Sequence, residues 1–567
     1  MVKSSIMAYI ERVRIKNFKC YGDNFFDLKL NGGLNIIVGK NEEGKSTILE
    51  AIHLALTQSY RGKSIKQSIS SYLFNTETVK RYLTELKNGK KSSPPEICIE
   101  LWMCLDAETS PFMGNGNSEN KNDAQGIRLE IKVPNDLLAE YQAYVQDVSK
   151  NINDLPIEYY VVEWESFSRN RLTHYTQTVR SILVDSSSYS YQNGSEIFVS
   201  QVVRDVLDQN DTVAVSQAFR TMKDGFARDP SIETINSKIS GEMAEWNDQG
   251  INLAVDKGVV NDWRRFVAMH VGEIPFHGMG KGRQCVAKTK LGLMSTAGQN
   301  ACIVLLEEPE NHLTYAKMNN YLKMISNNCS GKQVVVVTHS SFVANKLGLK
   351  NLILLNNKKC ARFDQLSNDT EKFFKKIPGY DTLRLLLCDK AILVEGDSDE
   401  MIVQKAYTMR MSKLPIEDGI DIISVGNSFM RYLDIAKLLD LPVAVVLDTD
   451  GKIDFIQTKY GEFANSPSIS VFYSEYSDDI GYEYKGKKLN DWTLEPEIIR
   501  ANSSETLDSI IGAIMGHSYD DVKDCALRYR IFMSENKTEC ALAFFETNIS
   551  FNIPEYISNA ITYVTEK

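Results

Sequence analysis

The chain has 567 residues, of which 43% are hydrophobic and 24% are charged, and its formal net charge at pH 7 is −10. This length predicts about two to four domains, and the acidic balance argues against a protein that coats nucleic acid along its whole surface. No apolar run is long enough to cross a membrane, the first residues do not resemble a secretory signal, and the ten cysteines include no Cys-x-x-Cys pair. We therefore expect a cytoplasmic protein with reduced thiols and no membrane contact.

A phosphate-binding loop stands near the start of the chain. Residues 34–38 form a short β-branched run typical of a buried parallel strand, and residues 46–56 show the apolar spacing of a helix. Between them lies Gly-x-x-x-x-Gly-Lys-Ser, which in this context predicts a P-loop whose backbone N–H groups cradle phosphates. The lysine would reach the β- and γ-phosphates, and the serine would ligate Mg²⁺. The predicted nucleotide-binding residues of this loop are Gly39, Asn41, Gly44, Lys45, Ser46 and Thr47.

Two strands are expected before this loop and several after it. The phrase Ile-Glu-Arg-Val-Arg-Ile-Lys-Asn-Phe at residues 10–18, followed closely by a P-loop, resembles the opening of SMC and RecF-like ATPases. Residues 197–265 are polar with apolar side chains at helical spacing, which predicts a helical insertion. In SMC proteins this position holds a long coiled coil, but here the segment has only about seventy residues and no sustained heptads. We expect this insertion to serve dimerisation. Further strands are predicted at 97–103, 127–133, 158–164 and 180–184, with a flexible surface loop at 114–126.

A second nucleotide motif begins after residue 300. Residues 302–306 form an apolar strand that delivers Glu307 and Glu308 to its carboxyl end, where α/β sites lie. Glu307 takes the Walker B position on Mg²⁺, and Glu308 takes the position of the general base that orients the attacking water. After the next buried strand, His339 matches the switch histidine that senses the γ-phosphate in ABC-type ATPases.

The glycine-rich run at residues 278–284 stands where an ABC-type signature belongs. Its Gly280 and Gly282 would contact the γ-phosphate of a nucleotide that a partner subunit holds. This resemblance implies at least a homodimer through the ATPase domain.

The second half of the chain carries acids at the ends of two predicted strands. Glu395 follows an apolar strand and Asp399 lies one helical turn further on, while Asp448 and Asp450 follow a later strand. The intervening pattern is βαβαβ, so a parallel sheet with right-handed crossovers is expected. Carboxylates that converge on one point repel each other unless divalent cations neutralise them, and oxygen ligands select Mg²⁺ or Mn²⁺. An apolar strand ending in Glu-Gly, followed by a strand ending in Asp-x-Asp, resembles the Toprim domain.

An ABC-type ATPase fused to a Toprim half resembles the OLD-family nucleases, to which the nuclease subunit of the Gabija defence system is also similar. This resemblance implies that Glu495 supplies a further metal ligand and that Lys537 assists the phosphate. It also implies ATP and Mg²⁺ or Mn²⁺ as cofactors, DNA as substrate, assembly beyond a dimer, a role against phage or foreign DNA, and a separate helicase-like partner. The predicted catalytic residues are Glu395, Asp399, Asp448, Asp450, Glu495, Lys537 and Glu308; the predicted metal ligands are the first five of these together with Ser46 and Glu307.

The predicted fold class is α/β. An ABC/SMC-like P-loop ATPase with a short helical insertion is expected over residues 1–355, a linker over 356–385, and a Rossmann-like Toprim domain with C-terminal helices over 386–567. A topoisomerase would need an attacking tyrosine, and the sequence marks none of the 26; a primase would usually bring a zinc module, and no Cys/His cluster is present. A non-catalytic ATP-sensing scaffold and a DNA-repair nuclease remain open as alternatives.

Overall fold

The structure is a computed structural model, and its contacts divide the chain into two compact units. The first comprises Met1–His339 with Asn357–Lys359, and the second comprises Ser340–Asn356 with Cys360–Lys567. The described residues are 8–147, 152–173, 176–185, 209–242, 270–356, 358–363, 367–376, 380–516, 519 and 522–567.

An antiparallel sheet forms one part of the first unit. Its central strand, Ile97–Met103, is buried along its whole length and pairs with Ile10–Lys16 on one side and Ala124–Lys132 on the other. Phe26–Lys29 pairs with the outer side of Ile10–Lys16, which confirms the two antiparallel strands expected before the P-loop. On the far side, Ala124–Lys132 pairs with Val161–Ser166 and with the short strand Met113–Gly114.

A parallel sheet in the same unit positions the nucleotide motifs. Four of its strands stand in the order Ser181–Asp185, Ile303–Glu307, Gln333–Val337 and Leu34–Gly39. The last three end at one edge of the sheet, where the P-loop, the Walker B acids and His339 follow them. The P-loop helix, Lys45–Thr57, buries its apolar face against this sheet, with Ile48, Ile52 and Ala55 fully buried.

The first unit also contains further helices and two short strand pairs. Two helices of the predicted insertion are described, and residues 197–208 and 243–265 of that prediction lie outside the described residues. The other elements are the helices Thr76–Lys87, Leu138–Gln146, Gln209–Ala227, Pro230–Glu242, Lys281–Met294, Thr296–Gln299 and Tyr315–Asn328, and the strand pairs Ser59–Tyr60 with Lys63–Ser64 and His270–Val271 with Ile274–Pro275.

The second unit is built on a four-stranded parallel sheet, as the βαβαβ pattern predicts. Its strand order is Ile420–Ser424, Lys390–Val394, Val443–Val446 and Ile469–Phe472. The C-terminal helix Glu555–Glu566 packs on the sheet and buries Ile557 and Ala560 in its core. The other helices are Asp397–Met411, Phe429–Leu439, Ile453–Tyr460, Leu494–Ala501, Ser504–Met515, Cys525–Glu535 and Lys537–Glu546, and Glu483–Tyr484 pairs with Lys487–Lys488.

The stretch predicted as a linker contains regular structure in its described part. It holds the strand Lys359–Arg362 and the helices Asn368–Lys376 and Tyr380–Leu387, and it follows the helix Ser341–Leu347 and the strand Leu352–Asn356. The helices carry apolar residues on one face, such as the buried Phe374, which explains why a polar composition did not leave the segment irregular. Among the described residues, no helix is long and apolar enough to span a membrane. Both units combine helices with β-sheets, so the α/β fold class is confirmed.

Candidate functional site

The P-loop lysine is buried and held by the loop itself. Gly44 has φ of 97°, and a Cβ built there would lie 2.6 Å from the sulfur of Cys20, so glycine suits both the backbone and the space. The Lys45 side chain is 4% exposed, and its ammonium donates to the carbonyl oxygens of Gly39 at 2.8 Å and Lys40 at 2.5 Å. The loop therefore presents one charged donor beside the N-terminus of the Lys45–Thr57 helix, which is an arrangement that binds phosphate.

The predicted general base lies beside the predicted switch histidine. Glu308 follows the Walker B strand with φ of 42°, and its N–H donates to the carbonyl of Val337 at 2.9 Å. Its Oε1 is 3.2 Å from Nε2 of His339, and its Oε2 accepts from Nδ2 of Asn311 at 2.6 Å. The structure thus brings Glu308 and His339 together and adds Asn311, which sequence reasoning missed although it lies three residues after Glu308.

Three side chains of this site share one electrostatic environment. Burial lowers the pKa of Lys45, and the charge of Glu308 opposes that change. Burial and then the charge of Lys45 lower the pKa of His339, again against Glu308. His339 is therefore neutral near pH 7, and its imidazole can exchange a hydrogen bond with Glu308 without carrying charge.

A third acid, Glu310, links the loop that follows the Walker B strand to the segment that carries His339. Glu307, which ends its strand, is 8% exposed. Glu310 accepts from the hydroxyl of Thr338 at 2.6 Å and from the backbone N–H of His339 at 2.9 Å, and burial raises its pKa. Glu310 was missed by sequence reasoning; the only signal for it was the third acid in Glu-Glu-Pro-Glu.

The signature glycines lie at the start of the helix Lys281–Met294. Gly280 caps this helix with an extended conformation, and a Cβ on Gly282 would lie 2.2 Å from the carbonyl oxygen of His312. Gly282 therefore allows the helix to approach the loop after the Walker B acids. Its contact with a partner's nucleotide stays a prediction.

The predicted carboxylates of the second unit stand at the carboxyl edge of its parallel sheet. Glu395 and Asp448 follow the strands Lys390–Val394 and Val443–Val446, and Asp399 lies in the first turn of a helix, where it accepts from the N–H of Gly396 at 3.0 Å. Asp450 has φ of 48°, and its Oδ1 accepts from the amide of Asn490 at 2.6 Å. Parallel strands end at the same edge of a sheet, so the topology explains why acids far apart in sequence converge here.

Glu495 and Lys537 form an ion pair in this cluster. Glu495 is 5% exposed; its Oε1 lies 3.0 Å from the ammonium of Lys537, and its Oε2 accepts from the hydroxyl of Thr493 at 2.7 Å. Lys537 begins its helix, as expected from the sequence. Burial lowers the pKa of Lys537, but the negative charge of Glu495, with those of Asp448 and Asp399, raises it by more. The net result is a raised pKa.

Mutual repulsion shows that the acids are neighbours. Burial raises the pKa of Asp399 to about 6, and Glu495 and Glu395 add to that rise. Burial also raises the pKa of Asp448 well above its usual range, and the charges of Asp399, Glu495 and Glu395 add to the effect. The pKa of Glu395 is raised by burial and then by Asp450. All five predicted carboxylates therefore belong to one electrostatic cluster, which we call the acid cluster.

The acid cluster fits a divalent cation by its chemistry. In the part of the chain that is described, no three His, Cys, Asp or Glu side chains stand close enough together to enclose a metal ion as they lie. Two of the five acids instead have side-chain partners: Glu495 pairs with the cation Lys537, and Asp450 accepts from the neutral amide of Asn490. The donors are all carboxylate oxygens, and burial together with neighbouring acids raises the pKa of three of them, Glu395, Asp399 and Asp448. A set of oxygen donors of this kind selects Mg²⁺ or Mn²⁺.

A buried arginine positions the loop that carries Asn490 and leads to Glu495. Arg530 is 3% exposed; it donates to the carbonyl of Asn490 and lies 3.4 Å from Oδ1 of the fully buried Asp491. The next residue, Trp492, packs over Gly451, where a Cβ would lie 3.0 Å from the indole ring. Nothing in the sequence around Arg530 indicated this role, because the contact joins residues about forty positions apart.

A buried tyrosine faces the same acids. Tyr556 is 8% exposed in the first turn of the C-terminal helix, and burial followed by the charges of Asp448 and Asp399 raises its pKa well above the usual value. Its phenol therefore stays protonated and is poorly suited to attack as a phenolate. Sequence reasoning had marked no tyrosine.

Comparisons with protein families match both halves of the chain. Residues 12–210 match the family described as AAA domain, and residues 386–450 match the TOPRIM domain of proteins like the overcoming lysogenization defect protein. The second match contains the strands that carry Glu395 and Asp448.

Curated relatives match only part of the chain. Structural maintenance of chromosomes protein 6 of Saccharomyces cerevisiae is 35% identical over 144 residues, which is 24% of this chain and 13% of that protein. The DNA replication and repair protein RecF of Lactococcus lactis subsp. cremoris is 46% identical over 61 residues, 11% of this chain and 16% of that protein. The chain thus matches less than a fifth of the length of either relative.

Solved structures resemble each half. A crystal structure of an Smc head bound to the C-terminal winged-helix domain of ScpA is 16% identical, covers 62% of this chain and 96% of that chain, and has a TM-score of 0.32. The C-terminal region of the Burkholderia pseudomallei OLD protein is 19% identical, covers 32% of this chain and 98% of that chain, and has a TM-score of 0.25. By its two family matches the chain joins an AAA domain to an OLD-like TOPRIM domain, which is the combination that the resemblance to the OLD-family nucleases predicted.

Proposed function

We propose that the protein is an ATP-regulated, divalent-metal-dependent DNA endonuclease. The observation that carries this proposal is the acid cluster, in which Glu395, Asp399, Asp448 and Glu495 are coupled to each other and to Lys537 at the carboxyl edge of a parallel sheet. The OLD-like TOPRIM match over residues 386–450 supports it independently. A structural role does not account for buried acids that repel each other, because such repulsion destabilises the fold.

The chain's own residues can perform four tasks in phosphodiester cleavage. Glu395, Asp399, Asp448, Asp450 and Glu495 would hold Mg²⁺ or Mn²⁺, and bound metal supplies an activated water and stabilises the leaving oxygen. Lys537 would bind a non-bridging oxygen of the scissile phosphate once its pairing with Glu495 is relieved. The Tyr556 phenol keeps its proton and can donate to a carboxylate, while the surrounding apolar core excludes bulk water.

The first unit would regulate this site through bound nucleotide. Lys45 and the N-terminus of its helix bind the phosphates, Ser46 and Glu307 would hold Mg²⁺, and Glu308 orients the attacking water with His339 at its side. Gly280 and Gly282 would complete a partner's nucleotide site, so the working unit is a homodimer or larger assembly. A cytoplasmic location and a helicase-like partner belong to the same proposal.

Defence against phage or foreign DNA is the biological role we propose, on the strength of the OLD-like match. Repair is the second candidate, because the RecF proteins matched by the ATPase half are named for DNA replication and repair. A non-catalytic scaffold is disfavoured, since it would need neither Glu308 nor a repulsive group of five acids.

Cleavage of supercoiled plasmid tests the proposal. Wild type with Mg²⁺ or Mn²⁺ should give nicked or linear DNA in a nucleotide-dependent manner, and Asp448→Ala should give none. Asp478→Ala is the matched control, because Asp478 is exposed and lies outside the acid cluster. Equal cleavage by Asp448→Ala and wild type would contradict the assignment of the acid cluster, and absence of cleavage by wild type under every nucleotide condition would favour the scaffold.

A further inference from the structure

A short helix beside the acid cluster exposes an aromatic ring between two lysines. The helix Ile453–Tyr460 begins three residues after Asp450 and buries Ile456 and Tyr460. Phe455 is left 61% exposed. Lys459 follows it by four residues and shares its face of the helix, and Lys452 precedes it by three residues, at the position that caps the helix N-terminus. We call Lys452, Phe455 and Lys459 the strand-contact face.

The lysines of this face are available to an anion. Lys452 and Lys459 are exposed, and within the described residues neither forms an ion pair with a carboxylate. The ammonium of Lys459 lies 5.8 Å from the centroid of the Phe455 ring. An exposed aromatic side chain flanked by lysines matches the composition of surfaces that bind nucleic-acid strands.

The strand-contact face adjoins the acid cluster. The N–H of Lys452 donates to the carbonyl of Thr449 at 2.8 Å, which fixes the start of the helix to the turn between Asp448 and Asp450. At the other end of the helix, Lys459 and Tyr460 both interact electrostatically with Glu395. The helix therefore runs past the place where the scissile phosphate would bind.

We propose that the strand-contact face binds a single-stranded segment of the substrate, with a base stacked on Phe455 and the flanking phosphates on Lys452 and Lys459. This inference rests on the proposed function, because it identifies the strand that the acid cluster would cut. Intact duplex hides the faces of its bases, so a base can stack on Phe455 only where the duplex is open or absent. The substrate class is therefore single-stranded or locally unpaired DNA. The lysines bind backbone phosphates without reading sequence.

Binding of a fluorescent single-stranded oligonucleotide to the full chain, measured by anisotropy in EDTA, tests this inference without cleavage. Phe455→Ala should weaken binding about tenfold, and Phe455→Trp should restore it, because stacking contributes of this order for each base. Lys452→Gln and Lys459→Gln should each lower the slope of log Kd against log salt concentration by about 0.7. All of these side chains are exposed, so the variants should fold.

Two control variants match the exposure and chemistry of the face. Ile514→Ala removes another apolar side chain that is 49% exposed on a helix of the same unit. Lys567→Gln removes a lysine whose ammonium lies 5.7 Å from the centroid of the Tyr563 ring, away from the acid cluster in the chain. Both controls should bind as wild type does.

Wild-type affinity in Phe455→Ala and in both lysine variants would overturn the inference, as would equal losses in the control variants. Absence of any oligonucleotide binding by wild type would overturn it too. The proposed nuclease is judged separately by plasmid cleavage. If wild type cuts DNA but the face variants bind and cut normally, only this inference fails. If the face variants lose binding while wild type cuts nothing, the inference stands and the nuclease fails.

Discussion

In the first unit the buried cation Lys45 is held by two backbone carbonyl oxygens, whereas in the second unit the buried carboxylate of Glu495 pairs with the cation Lys537. Burial acts on both sites by the same physics and in opposite directions. It disfavours the charged form of the lysine in one and of the acids in the other. The first site thus presents donors to an anion, and the second presents acceptors to a cation.

This contrast would allow one chain to bind two ligands of opposite charge. A phosphate bound near Lys45 and a divalent cation bound by the acid cluster each relieve the cost of burying charge. Variants that alter one kind of charge should therefore affect one ligand and leave the other unchanged.

Glu308→Gln is expected to have the largest effect in the first unit. The amide cannot accept a proton from the attacking water, so ATP hydrolysis should fall about 10³-fold, within the range typical of a lost general base. ATP binding should persist, because Lys45 and the loop are untouched. Phosphate release and nucleotide affinity measure the two effects. Glu77→Gln is the control, because Glu77 is exposed on the helix Thr76–Lys87 and lies outside the nucleotide motifs. This control should hydrolyse ATP near the wild-type rate. Wild-type hydrolysis by Glu308→Gln would remove this residue from the reaction.

Arg530→Met should have the next largest effect, in the second unit. It leaves the fully buried carboxylate of Asp491 without its arginine, which typically costs about 3–5 kcal/mol. The loop that carries Asn490 should then exchange its amide hydrogens faster and bind Mn²⁺ more weakly, as measured by hydrogen exchange and calorimetry.

The control for that change is Arg410→Met. Arg410 donates to Ser558 and Thr562 at the surface, so its loss should cost less than about 1 kcal/mol. Unchanged exchange at residues 490–495 in Arg530→Met would refute the positioning role of Arg530.

A smaller effect is expected from pH on the metal-free acid cluster. The pKa of Asp399 is raised by burial and by Glu495 from 3.8 to about 6. Because the folded pKa is the higher one, the charged acid costs its full amount of stability above about pH 6, and this cost fades as the pH falls from there towards 3.8. The shift corresponds to about 3 kcal/mol.

Thermal melting in EDTA checks this expectation. Asp399→Asn should melt about 5 °C above wild type at pH 8, and the difference should fall to about half by pH 5 and towards zero below about pH 4. Saturating Mn²⁺ should make wild type melt above Asp399→Asn at pH 8. Wild type would bind the ion more tightly than the variant, and a ligand that binds the folded state stabilises it. A difference in melting temperature that stays constant from pH 5 to pH 8 would contradict the raised pKa of Asp399.

The sequence predicted most of the site residues that directly follow the ends of buried strands. The P-loop, the Walker B acids and the two acid-bearing strands of the second unit all follow buried apolar runs, and parallel topology brings such ends to one edge. For this reason Glu308 and His339, and likewise Asp399 and Asp448, could be assigned to common sites before their contacts were known.

Sequence reasoning failed where a role depends on packing between distant segments. Arg530 and Tyr556 reach the acid cluster from C-terminal helices whose local sequence resembles any amphipathic helix. The exposure of Phe455 is likewise a tertiary property, because a phenylalanine in a short helix is usually buried. The segment predicted as a linker contains helices because apolar residues such as Phe374 are buried there. The composition of a segment does not show which of its apolar residues will be buried.

The most direct test of the central claim is Mn²⁺ binding to the nucleotide-free protein, measured by calorimetry or electron paramagnetic resonance for wild type, Asp448→Ala and Lys45→Ala. The account predicts that Asp448→Ala loses at least about tenfold in affinity, as expected when a carboxylate ligand is removed, while Lys45→Ala binds Mn²⁺ as wild type does. Equal Mn²⁺ affinity in wild type and Asp448→Ala would contradict the assignment of the acid cluster as a metal centre.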